Sequence, residues 1–177
     1  MKIRYGYLTV MAVLSMLGIC GLSSCSVDPN VVLDQFVAQD DKTWSWKDVQ
    51  SFDFEIGEGD YYYNVNIQLR ISGQFAYSNL WMVYRLDLQD SLKAGQLSEL
   101  SSKSVGAKQF QGILADETGR WLGEGKGNLR VYSFPVVQRA ILRPGKYRFL
   151  LRQNVRVDDL FGVSDIGLKV EKAGAIL

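Results

Sequence analysis

Residues 63–71 alternate between apolar and polar side chains without a break. The apolar set is Tyr63, Val65, Ile67, Leu69 and Ile71, and between its members stand Asn64, Asn66, Gln68 and Arg70. A period of two places each set on its own face of a β-strand, whereas a helix would scatter both sets around its axis. The segment therefore predicts a strand with one face in a core and the other in water.

The same alternation recurs along the chain. Apolar stripes are predicted over residues 52–56, 80–88, 147–157 and 166–170, with weaker strand signals over 109–115 and 129–137. Gln153 is the one polar residue that breaks the third stripe, and Pro135 places the last segment at a sheet edge or a bulge. Strands with one apolar and one solvent-exposed face, separated by turns, predict an all-β domain, an antiparallel β-sandwich of jelly-roll type.

The first 25 residues have the features of a cleaved lipoprotein signal. Lys2 and Arg4 precede an apolar run of about 15 residues, shorter than the roughly 20 that span a bilayer. The run ends in Leu22-Ser23-Ser24-Cys25, which resembles the lipobox of bacterial lipoproteins. The resemblance implies cleavage after Ser24 and attachment of palmitate-type acyl chains to Cys25.

These features divide the chain into four parts. We predict a signal peptide at 1–24, a lipidated N-terminus and tether at 25–43 with a short ordered piece at 31–37, a β-sandwich domain at 44–172 and a C-terminal tail at 173–177. Two or three acyl chains hold a protein stably on a membrane, whereas a single chain binds only marginally. Ser26 stands where an aspartate would favour retention in the inner membrane, so we predict the outer membrane, with its periplasmic and cell-surface faces both open.

Composition removes several classes of activity. The chain has no histidine, and Cys20 lies in the predicted signal, so that Cys25 is the one cysteine expected in the mature protein. A serine–histidine triad, a thiol nucleophile, a disulfide and the usual zinc ligands are thereby excluded. The 20 basic and 19 acidic residues give no basic footprint for nucleic acid. We predict a protein that is not an enzyme and has no metal and no cofactor beyond the lipid.

Three stretches, taken in order, carry a resemblance to a known family. They are Ser-Phe-Asp-Phe-Glu-Ile at 51–56, Ile-Gln-Leu-Arg at 67–70 with Phe-Ala-Tyr-Ser-Asn-Leu-Trp at 75–81, and the glycine-rich segment 116–127 with the tail at 145–149 and 162–168. Together they resemble the gliding-motility lipoprotein GldH family of the Bacteroidota. The resemblance implies a membrane-anchored envelope protein that assists the gliding machinery associated with type IX secretion, with other envelope proteins as its partners.

Residues 116–127 are the most suggestive internal segment. Four glycines surround one tryptophan, and glycine lets a backbone approach a neighbour closely. The candidate partner-contact residues are Gly119, Arg120, Trp121, Gly123, Gly125 and Gly127. The alternative is a tight hairpin whose Trp121 packs into the core.

A second candidate contact is a stripe of arginines. Arg148, Arg152 and Arg156 are predicted to share one face of a strand, where they would meet anionic lipids or an acidic partner. The alternative is a solvated face paired with carboxylates on neighbouring strands.

Two further interpretations concern aromatic and acidic residues. Trp81 and Trp121 are candidates for stacking on sugars, which would make the protein a surface glycan-binding module; the alternative, common for aromatic residues of a sandwich, is packing in the core. Pairs of carboxylates such as Asp53 and Glu55 would serve glycoside hydrolysis only if two faced each other across a cleft. The prediction is a non-enzymatic docking protein, with glycan binding as the alternative.

Overall fold

The structure is a computed structural model that describes residues 28–57, 59–89, 100, 103–125 and 127–176. It contains ten β-strands and one short 3-10 turn at Asp40–Lys42. The strands are β1 (Val31–Ala38), β2 (Thr43–Ser45), β3 (Gln50–Ile56), β4 (Tyr61–Ser72), β5 (Asn79–Leu88), β6 (Lys108–Ile113), β7 (Leu129–Ile141), β8 (Gly145–Gln153), β9 (Asp159–Phe161) and β10 (Val163–Ala175).

Two four-stranded antiparallel sheets enclose the core. The first sheet has the order β1-β10-β4-β7 and the second has the order β3-β8-β5-β6. A two-stranded ribbon of β2 and β9 adds the buried side chains of Trp44 and Leu160 to the same core. The predicted all-β, antiparallel, single-domain fold is confirmed.

The core follows from the period of two in the sequence. All five apolar residues of the 63–71 stripe are buried on β4, and the polar residues between them lie on the opposite face. β3 repeats the pattern with Phe52, Phe54 and Ile56 buried. Burying a large apolar side chain stabilises a fold by about 1.5–3 kcal/mol, so these stripes are the main source of stability.

The sheet extends beyond the predicted limits of the domain at both ends of the chain. Residues 31–38, predicted as part of the tether 25–43, form β1 and pair along β10 from Val31–Glu171 to Ala38–Asp165. β10 itself runs on to Ala175, into the segment predicted as a tail. The correction has a physical cause, because Val32, Leu33 and Val37 pack against the core and complete the edge of the first sheet.

The predicted stripe 147–157 is shorter as a strand, because β8 ends at Gln153. The buried side-chain amide of Gln153 donates hydrogen bonds to the main-chain oxygens of Val157 (3.2 Å) and Asp158 (3.1 Å). Its oxygen accepts one from the N–H of Val155 (3.0 Å). The polar residue in the stripe therefore organises the loop that follows the strand.

β7 is an edge strand with an interruption halfway along. Val131 exchanges two main-chain hydrogen bonds with Glu124, so its polar groups point away from β4. Main-chain groups of alternate residues point the same way, so those of Ser133 and Pro135 also face away from β4. Proline has no N–H, and at this outward position no ladder hydrogen bond to β4 is lost. The register against β4 shifts between Val65 and Asn66, which is a bulge next to Pro135. Pro135 was predicted at a sheet edge or a bulge, and it lies on an edge strand next to a bulge.

Candidate functional site

The turn at 116–120 is built around one aspartate. Asp116 Oδ1 accepts hydrogen bonds from the Thr118 hydroxyl (2.7 Å) and from the N–H groups of Thr118 and Arg120 (both 3.0 Å). Its Oδ2 accepts another from Arg120 Nε (3.0 Å). The Thr118 bond is the largest cause that lowers the pKa of the Asp116 carboxyl. Asp116 and Arg120 therefore serve the turn, and Gly119 at φ +83° closes it.

After the turn, neighbouring residues take opposite environments. Trp121 forms a β-bridge with Ala115 and packs, partly buried, against the core. Leu122 donates its N–H to the Leu114 oxygen (2.9 Å), yet its side chain is 50% exposed. Trp121 therefore packs against the core, as the alternative interpretation expects, and Leu122 is an exposed apolar side chain of the hairpin.

Two glycines let the returning chain lie against β7. A side chain at Gly123 would meet the ring of Tyr132, with a Cβ only 2.5 Å from Cζ. One at Gly125 would strike the main-chain oxygen of Leu129, and the φ of Gly125 is +141°. Gly125 must be glycine because its φ is positive and the β7 backbone lies in the way, whereas a Cβ at Gly123 would force the Tyr132 ring to move.

The result is an open groove between the edge strands of the two sheets. β6 ends one edge of the second sheet, β7 ends one edge of the first, and the hairpin 114–125 lies between them. The groove has a volume of about 340 Å³. Its apolar lining includes Ile113, Leu122, Val131, Tyr132 and Phe134. We call this feature the edge groove.

The edge groove exposes apolar side chains that the sequence analysis did not single out. Ile113 is 48% exposed, and Val131 near the start of β7 is also exposed. The sequence does contain an apolar residue on either side of the hairpin, Ile113 and Val131. That these two side chains form one surface is evident only once the edge strands β6 and β7 are seen to lie together. A contiguous exposed apolar patch marks an interaction surface more often than scattered apolar residues do.

A smaller pocket of about 220 Å³ lies behind Trp121. Arg130, Asn128 and Ser72 contribute its polar lining, and the Ser72 hydroxyl is buried without a hydrogen-bond partner among the described residues. Gly127 also lines this pocket. Of the predicted contact residues, Trp121 and Gly127 border this pocket and Gly123 borders the edge groove.

The predicted arginine stripe is divided into three environments. Arg148 forms two hydrogen bonds of 2.6 Å with the Asp53 carboxylate on β3. Arg152 shares the outer face with Arg148 and lies 6.0 Å from the ring centroid of Trp46. Arg156 is exposed in the loop after β8, so it does not continue the strand face as predicted. Pairing with a carboxylate explains Arg148 fully.

Two tryptophans stand on the outside near Arg152. Trp81 is 41% exposed and Trp46 is 42% exposed. Arg152 pairs with Val83 in the ladder, which makes Trp81 its diagonal neighbour on the same face. The Nε atom of Arg152 is buried without a hydrogen-bond partner among the described residues. Trp81 therefore points outward, as the glycan interpretation requires.

The carboxylate pairs do not form a facing couple. Asp53 is occupied by Arg148, and Asp116 is occupied by its own turn. Asp158 and Asp159 are exposed beside the loop that Gln153 organises. Within the described ranges, no group of three or more histidine, cysteine, aspartate or glutamate side chains is placed to hold a metal ion.

Comparison with known families decides what kind of protein this is. The model of the GldH lipoprotein family matches residues 31–170. The chain belongs to that family. The match runs from the first residue of β1 into β10, so it includes both sheets and the edge groove. Searches of curated proteins and of solved structures found no match.

Family membership confirms the resemblance found in the sequence and makes this a lipoprotein, hence a membrane-associated protein. Cys25, the predicted site of lipidation, lies outside the described residues and outside the matched range. In the part of the chain that the structure describes, no helix has the length and hydropathy to cross a bilayer.

Proposed function

We propose that this GldH-family lipoprotein is a non-enzymatic accessory component of the gliding-motility machinery associated with type IX secretion. In this proposal it docks onto another envelope protein through the edge groove. The single observation that carries the proposal is the exposed apolar lining of that groove, between two sheet edges and held in shape by the hairpin. The family name supports the motility context.

The edge groove has the chemistry of a peptide-binding edge. Ser133 points its main-chain N–H and carbonyl outward on β7, beside the exposed side chains of Val131 and Leu122. An extended segment of a partner would add main-chain hydrogen bonds at the edge and place alternate apolar side chains in the groove. Each 100 Å² of apolar surface buried there would contribute about 2.5 kcal/mol before the cost of association.

The non-enzymatic part of the proposal rests on the side chains available. The chain lacks histidine, and the ionisable groups with shifted pKa values are engaged structurally. The Arg148 guanidinium holds the pKa of the Asp53 carboxyl below its usual value, and burial raises the pKa of the Tyr84 and Tyr147 hydroxyls. The Tyr84 hydroxyl donates to the Val136 oxygen (3.1 Å) and that of Tyr147 to the Arg143 oxygen (3.0 Å).

We also propose that lipid on Cys25 holds the protein at the outer membrane. Support comes from the Leu22–Cys25 lipobox and from Ser26 in place of an aspartate. Growth with labelled palmitate should label the parent protein and leave Cys25→Ser unlabelled. An unlabelled parent that remains in the membrane fraction would refute the anchor.

Photocrosslinking tests the docking surface directly. A photoreactive amino acid at Leu122 should give a discrete adduct with one envelope protein in the native host. The same probe at Val157, an exposed aliphatic position outside the groove, is the matched control. Ile113→Glu should abolish the adduct without changing the unfolding midpoint. Equal adducts from both positions, or an adduct that survives Ile113→Glu, would refute docking at the edge groove.

Glycan binding is the second candidate, favoured by the outward placement of Trp81 and by the polar pocket behind Trp121. Sugar rings stack on exposed aromatic rings, so Trp81→Ala would remove binding while leaving the fold intact. Binding on a glycan array that Trp81→Ala abolishes, with no partner recovered from Leu122, would favour this function over docking.

A further inference from the structure

One end of the sandwich gathers the strand ends next to the predicted lipid anchor. In the first sheet, Val31 pairs with Glu171 and Tyr62 pairs with Ile141. A turn fixes the chain there, because Val31 donates its N–H to the Asp28 oxygen (3.0 Å). Lys172 donates its main-chain N–H to the Asn30 oxygen (2.8 Å), which fastens the turn to β10.

The reach of the tether is therefore short. With the turn fixed at Asp28, only three residue steps separate Cys25 from the folded domain. A fully extended chain covers about 3.3–3.6 Å per residue, so the lipidated cysteine lies within about 10 Å of this end. An anchor in the membrane must bring this end of the sandwich to the headgroup region, whichever way the rest of the domain leans.

The side chains at this end suit a membrane surface. Arg139 places its guanidinium carbon 4.6 Å from the ring centroid of Tyr62, and Lys172 Nζ lies 4.3 Å from that of Tyr61. Ile141, directly opposite Tyr62, is 61% exposed. We call Tyr61, Tyr62, Arg139, Ile141 and Lys172 the anchor rim. Tyrosines with a polar tip, long cations and an exposed aliphatic are the side chains found where proteins meet the headgroup and acyl boundary.

Acidic groups at the same end offset the positive charge of the anchor rim. Asp28 and Asp60 are exposed nearby, so the end carries no large excess of positive charge. Its contact with lipid must come mainly from the aromatic and aliphatic side chains, because the Arg139 guanidinium already donates to the Ala173 oxygen (3.3 Å). This favours shallow insertion over electrostatic attraction to anionic lipid.

We infer that the anchor rim is a second membrane contact, which inserts at the headgroup level and sets the orientation of the sandwich on the bilayer. The inference rests on the proposed lipid anchor at Cys25. It places the edge groove away from the lipid, because Val131 lies about 30 Å along β7 from Ile141. The groove would then face the partner and not the membrane.

Depth-dependent quenching tests the inference. The lipidated protein, whose own cysteine is acylated, receives an environment-sensitive fluorophore through Ile141→Cys or, as the matched control, through Val131→Cys on the same strand. Both are placed in vesicles of phosphatidylethanolamine and phosphatidylglycerol that contain a shallow spin-labelled lipid. The fluorophore at 141 should shift to the blue and lose most of its emission, whereas that at 131 should be unaffected.

The outcomes separate the rim from the anchor. Protein that floats with vesicles but shows no quenching at 141 would overturn the rim and leave the anchor standing. Protein that does not float would remove the anchor and with it this inference. Tyr62→Ser in the 141-labelled protein should reduce quenching without changing flotation. Unchanged quenching in that variant would show that tether length alone sets the depth, and would overturn the role given to the rim.

Discussion

The Tyr132 hydroxyl donates a hydrogen bond of 2.9 Å to the main-chain oxygen of Leu114. Tyr132 lies on β7 of the first sheet, and Leu114 directly follows β6 of the second, so this bond joins the edges of the two sheets. The same oxygen accepts the N–H of Leu122. Burial raises the pKa of the Tyr132 hydroxyl, so the group remains a donor well above neutral pH. The Leu114 carbonyl thus holds two residues that line the edge groove, Tyr132 of β7 and Leu122 of the hairpin.

We expect Tyr132→Phe to destabilise the fold by about 0.5–1.5 kcal/mol, the usual value of one neutral hydrogen bond. Urea unfolding should show this as a lower midpoint with an unchanged slope. Tyr77→Phe is the control, because Tyr77 is exposed. Equal midpoints for the two variants would show that the Tyr132 bond contributes nothing to stability.

Gly123→Ala should destabilise by about 1–3 kcal/mol, since the added methyl group overlaps the ring of Tyr132 and forces it to move. The same change at Gly57 meets nothing within 4 Å and should be neutral or slightly stabilising. Thermal unfolding of both variants gives the comparison. A Gly123→Ala protein as stable as its parent would mean that the hairpin can withdraw from β7 at no cost.

Trp44 and Trp46 should differ sharply in their contribution to stability. Trp44 is fully buried and donates its indole N–H to the Asp48 oxygen (2.9 Å), so Trp44→Ala should cost about 3–5 kcal/mol. Trp46→Ala, two residues away and exposed, should change stability by less than about 0.5 kcal/mol. Circular dichroism in urea measures both without relying on indole fluorescence. A large loss from Trp46→Ala would contradict its position outside the core.

The ion pair between Asp53 and Arg148 should give a defined dependence on pH. The pKa of Asp53 is lowered in the fold, first by its hydrogen bonds to Arg148, so the stabilisation is fully present above the unfolded value of about 3.9. It is lost as pH falls below that value towards the lower folded pKa. Because the Asp53 side chain is half exposed, the contribution at neutral pH should not exceed about 1 kcal/mol.

Asp53→Asn should therefore lower the unfolding midpoint at pH 7, and the difference from the parent should shrink in strong acid. Glu55→Gln, on the same strand and face, is the control, because Glu55 forms no ion pair with a described residue. A constant difference between parent and Asp53→Asn at all pH values would exclude the ionised carboxylate as the cause.

Strand faces could be predicted wherever one side is buried and the other is wet. β3 and β4 satisfy this condition, so their buried residues were identified one by one. β1 does not, because Val31, Val32 and Leu33 stand together at a sheet edge and give no alternation. The end of β8 was also hidden, since a glutamine in an apolar stripe looks the same whether it interrupts a strand or ends it.

The candidate site could be predicted only in part. The glycines of the hairpin were visible because close packing on β7 favours glycine, against the Leu129 main chain at Gly125 and against the Tyr132 ring at Gly123. The edge groove was not visible, since it exists because β6 and β7 belong to different sheets. A hairpin between two strands of one sheet would have the same local sequence and no groove. Sheet order depends on contacts distant in sequence, and those leave no local pattern.

Pro135 and the bulge beside it limit strand pairing between neighbouring copies of the protein. If the proposed lipid anchor confines the protein to two dimensions, exposed strand edges of neighbouring copies would meet often and could join into continuous sheets. A proline in the outward row of β7 and the shift of register next to it end any added strand after a few residues. The open part of β7 is thus short, so that the docking segment proposed above could pair with it only over a few residues and a fibre could not grow from it.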